Sequence, residues 1–202
     1  MIITDVSVTT FLTTTRRHVD SAGHAHPGPP HRVRQSLLTL RSEDGAEGYS
    51  FAPPEVLRPF LIEAHVRPVL IGQDHRDRER LWQALAHRQR GSAGQLSDRT
   101  LAAVDVALWD LAGRSLGIPV CKLIGGYRDK VPAYGSIMCG DDLEGGLATP
   151  EDYARFAERL VARGYRGIKL HTWMPPVAGA PDVRRDLQAC AAVRERSAPT
   201  SI

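Results

Sequence analysis

The stretch from Asp98 to Leu116 sets the tightest limit on how this chain can fold. Leu101, Val104, Leu108 and Leu111 recur at helical spacing, with Ala102, Ala103, Val106, Ala107 and Trp109 between them. Such a helix is apolar around most of its circumference, so several neighbours have to cover it. Gly117 suits its C-terminal cap, and Pro119 blocks continuation. Asp105 and Asp110 lie about 500° apart around its axis at ~100° per residue, so they share no face. Structural hydrogen bonding is the role expected of both.

The covering elements come from upstream. Ile3 to Leu12 alternates as a strand, whereas Arg16 to Arg32 is interrupted throughout by glycine and proline and reads as a long loop. Val33 to Arg41 and Ala46 to Phe51 are β-prone runs joined by Asp44-Gly45, a hairpin turn signal. A three-stranded antiparallel meander follows. Leu57, Leu61 and Ala64 fit a short helix with Pro59 in its first turn. Leu81, Trp82, Leu85 and Ala86 fit a second helix beginning near Asp74, with the basic residues from Arg76 to Arg90 mixed with Asp77 and Glu79 on a solvated face. Strands followed by helices predict an α+β domain over 1–126.

From Lys130 the rhythm changes. Val131 to Met138 reads as a strand. Thr149, Pro150, Glu151 and Asp152 form a helix start, with an N-cap, a proline at the first helical position and acids in the first turn. Tyr153, Phe156, Ala157, Leu160 and Val161 make one apolar face before Gly164 ends that helix. Gly167 to Trp173 is the next strand and Asp182 to Arg196 the next helix. Strand, helix, strand, helix is the repeat of a parallel β/α architecture, here over 127–202.

Composition narrows the function classes. Of 202 residues, 42% are hydrophobic and 24% charged, a globular balance. No apolar run approaches the ~20 residues of a membrane span, and the N-terminus lacks a basic segment before its apolar part, so a cytoplasmic protein without membrane partners is expected. The net charge of +3 comes from 26 basic residues interleaved with 23 acids, which does not suggest nucleic acid. Cys121, Cys139 and Cys190 form no ligand spacing and read as buried or idle thiols. Only three of the basic residues are lysines: Lys122, Lys130 and Lys169.

One of these falls in the most informative triplet. Residues two apart on a strand share a face, so Lys169 and His171 point one way while Ile168, Leu170 and Thr172 point the other. If the apolar set faces the covering helix, Lys169 and His171 project near the C-terminal end of the strand, where β/α barrels place chemistry. An ammonium beside an imidazole favours its neutral, proton-accepting form. A solvated edge with a snorkelling lysine and a structural histidine accounts for the same triplet.

The run Leu101 to Arg114, with Asp105, Ala107, Leu108, Asp110, Leu111 and Gly113 in it, followed by Pro119, Leu123, Ile124, Gly125 and Gly126, resembles the signature helix and loop of the mandelate racemase and muconate lactonizing enzyme family of the enolase superfamily. Thr100 departs from the small alanine usual there. The resemblance extends from the first strand to about Arg196. It implies a capping domain closing over a modified β/α (TIM-type) barrel that abstracts the proton α to a carboxylate, with the enolate held by magnesium. Gly167 to His171 matches the family's second barrel strand and its Lys-x-Lys pair, so Lys169 maps to the electrostatic lysine and His171 to the base. A model imidazole has a pKa of ~6.5 against ~10.4 for lysine, so histidine needs less help to act as a base near neutrality. The loop after the first strand selects substrate in the family, and His24, His26 and His31 occupy that place. A mobile lid fits these three better than a metal site, since no carboxylate accompanies them.

The resemblance also sets an expectation about completeness. A full barrel takes ~250 residues, and 127–202 holds about two βα units, without the family's acidic magnesium ligands of strands three to five. The expectation is a truncated acid-sugar dehydratase or racemase, inactive alone for want of magnesium. The alternative is a non-catalytic module that forms a homo-oligomer or complements a separate barrel fragment. In the enzymatic reading the substrate is a small carboxylate or sugar acid.

Overall fold

The computed structural model describes residues 1–19, 25–138, 147–172 and 182–197, with residues 25–27 described in backbone alone. In chain order these form β1 (Ile3–Val19), β2 (Ala25–Ser42), β3 (Glu47–Ala52), α1 (Pro59–Leu61), a π turn (Ile62–Val66), α2 (Arg67–Leu70), α3 (Arg78–Arg90), α4 (Asp98–Leu116) and α5 (Val120–Leu123). There follow β4 (Gly135–Met138), α6 (Pro150–Ala162), β5 (Ile168–His171) and α7 (Val183–Ser197). The chain divides into two compact units, Met1–Thr14 with Arg32–Asp129 and Thr15–His31 with Lys130–Ile202. No helix among the described residues is long and apolar enough to cross a membrane.

In the first unit the expected meander is present, with strand order β1-β2-β3. β2 and β3 pair antiparallel from Ser36 opposite Ala52 to Arg41 opposite Glu47. Their turn uses Gly45 at φ +81°, whose N–H donates to the Ser42 carbonyl at 2.9 Å. The buried helix is α4, and Gly48 of β3 lies directly against its backbone. A Cβ at Gly48 would sit 2.3 Å from the Ala107 carbonyl oxygen and 2.4 Å from the Leu111 nitrogen. Asp110 reaches back from the helix, accepting from the Tyr49 N–H at 2.9 Å and from Arg114 Nε at 2.8 Å. The structural role expected of Asp110 is thus observed. Asp105 has no hydrogen bond or ion pair among the described residues, and burial pushes its carboxyl pKa up.

The ends of α4 account for two sequence details. Ser97 Oγ accepts from the Thr100 N–H at 3.1 Å as N-cap, and Gly117 closes the helix at φ 65°. Thr100, the departure from the alanine pattern, is buried and donates its hydroxyl to the Val56 carbonyl at 2.8 Å. Pro68 explains the π turn. It cannot donate to the Ala64 carbonyl as a helical residue would, and Arg88 Nη2 donates to that oxygen instead at 3.2 Å. α3 starts at Arg78 and not near Asp74, because the Asp74 carboxylate is engaged by Arg76 and by the terminal ammonium. Its face is less bland than expected, since the Arg78 guanidinium stacks 3.6 Å over Trp109. Cys121 and Cys190 are exposed, not buried, and Cys139 lies outside the described residues.

The loop expected over Arg16 to Arg32 is corrected. Its described parts continue β1 to Val19 and begin β2 at Ala25. β3 pairs with Ser36–Arg41, so one side of the Pro29-Pro30 stretch has no partner strand, and a proline whose nitrogen faces that side gives up no ladder bond. Gly28 makes room for its neighbour: a Cβ there would meet the His18 ring at 1.9 Å, and the ring would have to turn away.

In the second unit β4 and β5 pair in parallel, Gly135 opposite Ile168 through Met138 opposite His171. Ile137, Tyr153, Ala157, Leu160, Ala189 and Val193 are buried together, and Ile168 and Leu170 pack against that cluster.

Two consequences are measurable. Gly48→Ala is expected to cost about 3 kcal/mol or more of unfolding free energy, because the clash is with helix backbone, as chemical denaturation would show. His75 is fully buried with neither ring nitrogen hydrogen-bonded among the described residues, and burial pushes its pKa down. The unfolded chain therefore takes up a proton near the ordinary histidine pKa that the folded chain refuses. Stability should be fully present above ~6.5 and decline as pH falls below it, and this slope in thermal melts should flatten in His75→Leu.

Candidate active site

Period-two alternation builds the site. Ile168 and Leu170 contribute to the core beneath α6 and α7, which sends Lys169 and His171 to the opposite face of β5. Lys169 is exposed and His171 half-buried at the last position of the strand. The parallel register sets Ser136 beside Lys169 and Met138 beside His171 on the same face. These two neighbours need the register to be known, and inspection of one strand alone does not reveal them. Trp173 lies outside the described residues.

The helix between the strands has a tightly fixed start. Thr149 Oγ1 accepts from the Asp152 N–H at 3.2 Å, while Asp152 Oδ2 accepts from the Thr149 N–H at 2.8 Å. The N-cap at Thr149, Pro150 in the first turn and the acids beside it match the sequence expectation, and the reciprocal capping box adds to it. Hydrogen bonding from Thr149 holds the Asp152 carboxyl below its usual pKa. The next residue, Tyr153, is buried and donates its hydroxyl to the His171 carbonyl at 3.1 Å.

The capping-loop histidines are described in part. His24 lies outside the described residues, and His26 falls in β2 with its side chain outside them. His31 is half-buried, and its Nδ1 has no hydrogen-bond partner among the described residues. Its ring packs against His18, which the sequence reading did not single out, at 4.3 Å between centroids and 41° between planes. His18 Nε2 also lies 2.9 Å from the Pro29 carbonyl, so that nitrogen carries the proton and donates. A cross-strand pairing of the hairpin would have pointed to His18. Thr15–His31 belongs to the same compact unit as Lys169 and His171.

Among the described residues no three His, Cys, Asp or Glu side chains come together as a metal site. A groove of about 840 Å³ in the first unit is walled by Leu37, Phe51, Val106, Trp109 and Ile124. Its charged residues, Asp110 and Arg114, are paired with each other, so it offers little chemistry.

The fold of the first unit, a three-stranded antiparallel sheet packed on helices, is that of an enolase-superfamily capping domain. Residues 9–125 match the mandelate racemase / muconate lactonizing enzyme N-terminal domain, and the chain belongs to that family. It is similar to D-glucarate dehydratase from Agrobacterium tumefaciens, solved with magnesium: 76% identity and a TM-score of 0.90 over 98% of this chain and 52% of that one. A magnesium-bound racemase from Streptomyces coelicolor is 28% identical, with a TM-score of 0.68 over 98% of this chain and 53% of that one. The 3,6-anhydro-alpha-L-galactonate cycloisomerase of Streptomyces coelicolor is 34% identical over 79% of this chain and 43% of its own length. The chain thus spans about half the length of these relatives.

The capping box makes a local prediction. Thr149→Ala should cost about 1 kcal/mol of stability, and hydrogen exchange should quicken first at the amides of the opening turn of α6.

Proposed function

We propose that this chain supplies the capping domain (1–126) and the first two βα units of a β/α barrel (127–202) of an acid-sugar dehydratase. Its reaction begins with removal of the proton α to a carboxylate. His171 is the base, and Lys169 is its electrostatic partner. The observation that carries this reading is the partition of β5: two apolar residues against the helices, and an amine and an imidazole together on the other face.

That arrangement suits the first step. The neutral imidazole accepts the α-proton, and the ammonium beside it stabilises the negative charge that moves onto the carboxylate as the enolate forms. Ser136, next to Lys169, offers a hydroxyl to substrate oxygens. The segment after the first strand, with His24, His26 and His31, contributes substrate contacts. The identity to D-glucarate dehydratase makes D-glucarate the first substrate to try. Magnesium, bound in both solved structures named above, has no set of three ligands among the described residues, and no step of the mechanism runs through it.

A chimera tests the reading. This chain replaces the matching half of the Agrobacterium dehydratase, and D-glucarate dehydration is followed. The chimera is expected to turn over, with His171→Asn lowering kcat by about 10³-fold and Lys169→Met by about 10²-fold. An active chimera in which His171→Asn retains full turnover would remove His171 from the base role.

A further inference from the structure

We propose that Tyr153 is a positioning residue for His171, its hydroxyl fixing the backbone from which the imidazole projects; this rests on the reading of His171 as the base. Tyr153 is 2% exposed and sits in an otherwise apolar cluster with Ala154, Ala157, Leu160 and Ala189. A phenylalanine would fill the same space without bringing a hydroxyl into a region where an unpaired one costs stability. The hydroxyl donates to the His171 carbonyl at 3.1 Å.

The placement on both sides is favourable. His171 is the last residue of β5, and its pairing with Met138 is the last in the ladder. The terminal peptide of a strand is the part of it least restrained by its neighbour, and this carbonyl is tied instead to a helix. On the other side, Tyr153 directly follows Asp152, which closes the capping box. The donor is therefore carried by the best-determined turn of α6. Holding the carbonyl restricts rotation of the His171 peptide plane, and with it the direction of the Cα–Cβ bond. A general base works only within about 3 Å of the atom that carries the proton it takes, and a misplacement of about 1 Å can cost 10²-fold. Lys169, exposed and acting by charge, has no such requirement.

The test reads His171 directly. In the full chain, labelled with ¹³C and ¹⁵N, Tyr153→Phe should move the His171 carbonyl resonance and shift its ring titration midpoint by about 0.3 pH units or more. In the chimera the same change should lower kcat by about 10-fold with KM within about twofold. A folded Tyr153→Phe chain whose His171 carbonyl and ring titration match the wild type would overturn the proposal, even if turnover fell. Should Tyr153→Phe not fold, 3-fluorotyrosine at position 153 keeps the ring in place. The His171 carbonyl resonance should then follow ionisation of that phenol, and its constancy would equally overturn the proposal. Loss of the base assignment shows separately, as undiminished turnover in His171→Asn.

Discussion

The contact between Gly48 and the backbone of α4 governs the first unit. A strand normally rests on a helix through interdigitated side chains, but here the missing Cβ lets β3 lie on the peptide groups around Ala107 and Leu111. At that separation the Asp110 carboxylate can bond the Tyr49 N–H, which joins the edge of the sheet to the helix by a charge-assisted hydrogen bond. α3 also packs against α4, and Leu38 and Leu40, beside Gly48 on the same face of the sheet, belong to the same buried cluster. The stripe of Leu101, Val104, Leu108 and Leu111 is thereby covered, as its sequence demanded, while Ala102 and Val106 on another face of α4 stay exposed.

The second unit solves a different problem. It has only two strands in its described sheet, so the alternation of β5 has to separate packing from chemistry within four residues. The apolar pair is taken up by a cluster that α6 and α7 share, and the polar pair is turned to the opposite face. Much of the order in this unit originates at Thr149 and Asp152, whose mutual bonds set the start of α6 and hence the residues that α6 presents to the strands.

What could be read from the sequence followed from strict periodicities. The helical repeat in α4, the alternation in β5 and the N-cap at Thr149 are each determined by near neighbours, and each is found where expected. The hairpin was misread because glycine and proline were taken as interruptions. Gly28 is there for the cross-strand His18 ring, and Pro29 and Pro30 occupy a stretch beyond the reach of β3. Pro68 went unread because its effect depends on a donor from another helix, Arg88. At the site, Lys169 and His171 were visible within one strand, whereas Ser136 and Met138 depend on register between two. Tyr153 was seen only as part of an apolar stripe, since nothing local reveals where a buried hydroxyl points.

The short link from α6 to β5, closed by Gly164 at φ +93°, has a consequence for how such a chain can vary over time. Because successive side chains alternate, displacing β5 by a single residue against β4 would exchange Ile168 and Leu170 for Lys169 and His171. The charge would enter the core, and the greasy pair would take the opposite face. Insertions or deletions in that link are therefore not neutral adjustments of length. Those that slip the ladder by an odd step abolish folding and chemistry together, so lineages carrying this strand should accumulate substitutions in the link far more readily than changes in its length.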